Sequence, residues 1–155
     1  MFERYTEKAR RVIFFARYEA SQFGSPFIEP EHLLLGILRD DKEIIRQLLL
    51  KVDLETARQD VDSRIKPGTK TIPTNVDLPL SEHLKRVLKY GAEEAERLNH
   101  QHIGTAHLLL GLMTEKEFAS AEFLSRHGAT LDSLRKRIEA LGGQTLKALG
   151  ELPPR

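Results

Sequence analysis

At 155 residues the chain has the length of one ordinary domain, and a hydrophobic content of 40% with few aromatics supports a modest aliphatic core. Its 24 Lys and Arg against 23 Asp and Glu give a formal charge of +1, too little field to hold a nucleic-acid backbone, so nucleic acid is not expected as a partner. The lack of cysteine excludes disulfides, thiol nucleophiles and thiolate zinc sites. No apolar run approaches the roughly 20 residues of a membrane span, and the charged start "MFERYTEKARR" is unlike a signal peptide; a cytoplasmic protein without membrane contact is the expectation.

The first predicted helix opens at Thr6, whose hydroxyl can accept from free N–H groups of the first turn, with Glu7 well placed against the helix dipole. Ala9, Val12, Ile13, Ala16, Ala20 and Phe23 form its buried stripe at three-and-four spacing, and it should end near "FGSP". A second, mostly buried helix is "EPEHLLLGIL" at 29–38, with Pro30 in its first turn. Ile44, Ile45, Leu48 and Leu49 mark a third, and Asp53 caps a fourth that carries Leu54, Ala57 and Val61. "KPGTKTIPTNVDLP", residues 66–79, holds three prolines and a glycine without helical period and reads as a connecting loop.

After that loop the pattern recurs. Adding 75 maps Glu7, Arg11, Val12, Glu19, Ala20 and Ile28 onto identical residues, and His32 to Gly36 onto His107 to Gly111 as "HLLLG" twice. Ser81 takes the place of Thr6, the stripe becomes Leu84, Val87, Leu88, Gly91, Ala95 and Leu98, and the helix should end at "LNHQ". Thr105 is expected to cap the second copy of the Leu-rich helix, and Ala119, Phe123 and Leu124 mark the next. At "HGAT" the offset becomes 77, Thr130 replaces Asp53 as a cap, and Leu131, Leu134 and Ile138 continue the last helix. The fold class is therefore all-α, two four-helix repeats related by a pseudo-twofold axis. Residues 1–155 are expected to form one domain: repeat one 2–65, linker 66–79, repeat two 80–145, and a tail 146–155 whose end "GELPPR" should fray or lead elsewhere. Because a unit of about 70 residues makes a thin core alone, the halves should share an apolar interface.

His32 and His107, in matching slots of a Leu-rich helix, are expected to be buried and hydrogen-bonded rather than to bind metal. Gly36 and Gly111 should permit close helix approach, since glycine in a helix otherwise costs roughly 0.5–1 kcal/mol against alanine. His100, His102 and His107 lack a metal-binding motif, and no metal or cofactor is expected. The runs Arg10-Arg11 and Arg135-Lys136-Arg137 read as solvated helix faces. No phosphate-binding G-x-x-x-x-G-K-[ST] loop or catalytic constellation can be singled out, so an enzyme is not expected.

"FERYTEKARRVIFFARYEA" with "IEPEHLLLGIL", followed by a second copy with "IGTAHLLLGLM", resembles the Clp N-terminal repeat domain of the AAA+ unfoldase ATPases and is most similar to the ClpC branch. The resemblance covers residues 2 to about 145. It implies a non-catalytic interaction module that recruits adaptor proteins and unfolded or marked client proteins to a Clp ring, in cis or in trans; the alternative is a free-standing regulator that competes for adaptors or the ring. The resemblance also implies phosphoarginine pockets, each built from a hydroxyl opening the first helix and a glutamate in the second. Carried over, one pocket takes Thr6 and Glu31, and a degenerate second takes Ser81 and Ala106. A helix N-terminus suits the phosphate and a carboxylate suits the guanidinium, so at most one pocket is expected to work. Glu29-Pro30 stands where the family has Gly-Thr, and Glu31 has the simpler role of a first-turn acid beside the helix dipole.

Overall fold

A computed structural model describes residues 2–48, 53–65, 71–73 and 76–151. Eight helices run through them: α1 (Glu7–Gln22), α2 (Pro30–Asp40), α3 (Lys42–Leu48), α4 (Leu54–Arg64), α5 (Glu82–Arg97), α6 (Thr105–Thr114), α7 (Ala119–Arg126) and α8 (Leu131–Ala148). No strand occurs among the described residues, and none of their helices is long and apolar enough to cross a membrane.

The capping chemistry works as expected at four starts. Thr6 Oγ1 accepts from the Ala9 amide at 3.1 Å and Ser81 Oγ from the Leu84 amide at 3.0 Å, while Asp53 and Thr130 cap α4 and α8. The ends of α1 and α5 match in kind as well: Gly24 and Asn99, 75 residues apart, adopt left-handed φ of 68° and 61°. The amides of Ser25 and His100 then fold back onto the Ala20 and Ala95 carbonyls. Thr105 is not the cap of α6. Gly104 holds that position and Thr105 is the first helical residue, because the cap's extended backbone falls one residue earlier, as at Glu29 before Pro30.

Packing follows the two stripes. Ala9, Val12, Ala16 and Ala20 are fully buried, as are Leu84, Val87 and Ala95, and each first helix lies against the second helix of its own half. Glycine makes that contact possible. A Cβ on Gly36 would lie 2.7 Å from the Val12 carbonyl oxygen, and one on Gly111 would overlap the Val87 carbonyl oxygen more severely. Ile44, Ile45, Leu48, Phe123, Leu124, Ala57, Val61, Leu134 and Ile138 complete a core that draws on both halves. Leu49 lies outside the described residues.

α2 and α6 touch each other and each reaches across to the first helix of the other half. Two single parallel bridges join the halves crosswise: the Thr6 amide donates to the Ile103 carbonyl at 3.0 Å, and the Ser81 amide donates to the Ile28 carbonyl at 3.0 Å. Ion pairs add a clasp between α4 and α7, Arg64 to Glu122 at 2.9 Å and Arg126 to Asp60 at 2.7 Å.

Gly150 and Glu151, the first two residues of the end expected to fray or lead elsewhere, are packed against the fold. α8 breaks at Gly142 (φ 73°), resumes, and buries Leu146; Gly150 then turns the chain so that Glu151 is 1% exposed. Its seat is described below; residues 152–155 lie outside the described residues.

Candidate functional site

Because the bridges run crosswise, each hydroxyl-capped helix start faces the second helix of the opposite repeat. Ser81 opens α5 beside the Ile28–Glu31 turn, and Thr6 opens α1 beside the Ile103–Ala106 turn. The pairing expected from the sequence, Thr6 with Glu31 and Ser81 with Ala106, is therefore exchanged: Ser81 stands with Glu31, and Thr6 with Ala106. Repeat-by-repeat reading pairs residues within one half, whereas the backbone bonds that fix these turns are made between halves.

At the Ser81 end a cavity of about 380 Å³ is lined by Glu29, Glu31, His32, Arg64, His83 and Phe118 among others. Burial pushes the Glu31 carboxyl up, helped by nearby Glu29, while backbone amides, including that of Ala119, pull it back. His83 packs on the Phe118 ring at 4.4 Å between centroids and accepts at Nδ1 from Arg86 at 2.7 Å; Arg86 in turn binds Glu115 at 2.6 Å. Arg64 reaches the wall already paired with Asp60 and Glu122. The cavity thus sets the Glu31 carboxyl against the first turn of α5 at His83. His83 and Phe118 were not singled out from the sequence; the only signal for His83 is its place two residues past a helix cap.

Both buried histidines are structural. Nδ1 of His32 accepts from the Glu29 amide and Nδ1 of His107 from the Gly104 amide, each at 2.9 Å, so each ring caps the start of its own helix. Desolvation lowers them to about 4 and about 3, which keeps both neutral. With Nδ1 accepting, the proton sits on Nε2; that of His107 meets His100 Nδ1 at 2.8 Å, leaving His107 no nitrogen for a metal. Of the basic runs, Arg10 and Arg11 lie at the surface as expected, but Arg135 does not belong to a solvated face. It makes a forked pair with Glu94, itself 3% exposed; in the first half, buried Glu19 takes one bond from Arg58 and one from Arg39 instead.

A second, smaller cavity of about 250 Å³ lies where the halves meet, between Tyr5 of the first and Lys85, Leu88, Lys89, Ala92 and Ile103 of the second. Its floor is apolar and its rim carries two lysines.

Comparison with known proteins gives a consistent picture. The family model described as the Clp repeat (R) N-terminal domain matches residues 4–127 and 81–153. The chain is 38% identical over 152 residues to the chloroplastic chaperone protein ClpC2 of Oryza sativa subsp. japonica, covering 97% of this chain and 16% of the rice protein. It is 39% identical over 147 residues to the ClpA homologue of Guillardia theta, an ATP-binding subunit of Clp protease, with 94% and 18% covered. Among solved structures, the N-terminal domain of the chaperone ClpD from Arabidopsis thaliana superposes with a TM-score of 0.71 at 29% identity, over 92% of this chain and 97% of that one. The N-terminal domain of ClpV1 from E. coli shares the fold with a TM-score of 0.76 at 19% identity, over 99% and 93%.

Proposed function

Since the chain belongs to the Clp repeat N-terminal domain family, we propose that it is a protein-interaction module that delivers adaptor proteins and client polypeptides to a Clp unfoldase, in cis or in trans. The observation that carries this reading is the match of the family model along nearly the whole chain, residues 4–127 and 81–153. The chain spans about a sixth of the rice relative's length, 16%, so the ATP-driven activity of such proteins is not assigned to it.

Two surfaces support the reading. The lysine-rimmed apolar cavity at Tyr5, Leu88 and Ala92 suits an apolar side chain followed by acidic residues, as an adaptor segment can offer. Arginine placed at Ala92 fills that cavity with charge. Pull-down of a cognate Clp adaptor, or amide shifts on adding a disordered client, should be seen with the native chain and lost in Ala92→Arg; no binding by the native chain in either assay defeats the reading.

The cavity lined by Glu31, His83 and Phe118 is the pocket we assign to phosphoarginine, with Glu31 on the guanidinium and the α5 N-terminus on the phosphate. Titration with free phosphoarginine should shift amides at the start of α5. Glu31→Ala should weaken binding about tenfold or more and Thr6→Ser should leave it unchanged; equal binding by Glu31→Ala and the native chain removes the assignment.

A further inference from the structure

The two ends of the molecule are built alike but finished differently. At the α6 end, the Thr105 amide donates to Glu151 Oε2 at 3.0 Å. Lys8 Nζ donates to the Leu149 carbonyl at 2.9 Å and to Asp41 Oδ1 at 3.1 Å, and its stem lies along Gly150. Glu151 is thus a carboxyl group seated on a helix N-terminus beside the ammonium of Lys8, two residues along α1 from Thr6. Three features of the sequence admit it. Gly104 has no Cβ, and one there would lie 2.5 Å from the Glu151 carbonyl oxygen; the equivalent residue in the first repeat is Glu29. Thr105 offers an N–H at the first helical position, where the equivalent Pro30 has none. Lys8 stands where the other end has His83.

We propose that residues 149–151 are a strap by which the chain fills its own second pocket, closing the α6 N-terminus to outside anions until the strap leaves. The seat is locked by a shared proton. Asp41 Oδ1 is taken by Lys8 and Glu151 Oε2 by Thr105, which leaves Asp41 Oδ2 and Glu151 Oε1 buried with no other donor. The groups facing this pair are Lys8 from α1 and the Thr105 amide from α6, with Asp40 beside it already bound to Arg11 at 2.7 Å. Two buried carboxylates against one ammonium carry an uncompensated charge unless they hold one proton between them. In keeping with this, burial and then Asp41 push Glu151 well above the ordinary carboxylate range, against the pull of Thr105 and Lys8. A folded-state value raised in this way stabilises the seat at low pH, and that contribution is lost as pH rises through the raised value, when the proton leaves to solvent and the two carboxylates repel.

None of this depends on what the Ser81 cavity binds, and the test is separate. Amide spectra of the full chain are followed with inorganic phosphate as probe, in the native sequence, Gly104→Ala, Glu151→Ala and Glu151→Gln. In the native chain the Thr105 amide should be protected from exchange about tenfold or more over its level in Gly104→Ala and Glu151→Ala, and indifferent to phosphate. Phosphate should shift the Thr105 and Ala106 amides saturably in both of those variants. The native Thr105 shift should titrate above the usual carboxylate range and lie flat in Glu151→Gln, which keeps the acceptor and removes the proton exchange. Glu151→Ala changes only one side chain at the end of the described fold, so it serves even where Gly104→Ala unfolds. Equal protection in the native chain and Glu151→Ala, or a phosphate shift of Thr105 in the native chain as large as in Glu151→Ala, overturns the strap.

Discussion

Glu19 and Glu94 are the same residue written twice, and each is almost fully buried on the first helix of its half while gripping an arginine from the fourth. Removing one partner of such a pair strands the other, so Glu94→Ala should cost about 2–3 kcal/mol in urea unfolding, and Arg135→Ala should add little on top of it. The buried histidines give the opposite pH signature to the strap. Their folded values, about 4 for His32 and about 3 for His107, lie below the usual 6.5, so the stability they bring as neutral caps is present above about pH 6.5 and drains away as pH falls toward those values. Melting temperature should therefore drop between pH 6.5 and 4, and drop less steeply in His107→Asn; equal slopes would contradict the depressed value. His32 and His107 were legible from the sequence because their setting is local: a ring three residues past a cap, in a Leu-rich helix. Glu151 was not, since its partners Thr105, Asp41 and Lys8 are 46, 110 and 143 residues away along the chain and nothing near position 151 announces them.

At the level of elements, periodicity and caps located every helix, and the offset of 75 residues let each half check the other. The Thr105 cap failed by one position because a glycine cap leaves no polar side chain to recognise. The role of the two helix glycines can be read directly. Gly36→Ala and Gly111→Ala both push a methyl into the carbonyl of the facing helix, so each should destabilise by about 1–3 kcal/mol, Gly111→Ala by the larger amount. Gly143→Ala meets nothing within 4 Å and should be neutral or slightly stabilising, by up to about 1 kcal/mol. Thermal melts of the three variants rank them; a Gly143→Ala loss as large as that of Gly36→Ala would contradict this account of close approach.

Taken whole, the molecule is a duplication whose halves are interlocked. Crosswise bridges at Thr6–Ile103 and Ser81–Ile28, the contact of α2 with α6 and the α4–α7 clasp all run between repeats. Residues 1–65 alone should thus show little helical circular dichroism, whereas the full chain should unfold in one transition with coincident probes. Such pairing between halves was the part of the candidate site hidden from the sequence: repeats reveal which residues are equivalent, and equivalence is silent about which copy touches which. The exchange of Thr6 for Ser81 opposite Glu31 follows from it. The same cross-wiring makes each hollow between the repeats a hinge-pin, held by one leaf on either side. Any guest that lodged there would grip both repeats at once, and part of its affinity would go into keeping the two ancestral copies married.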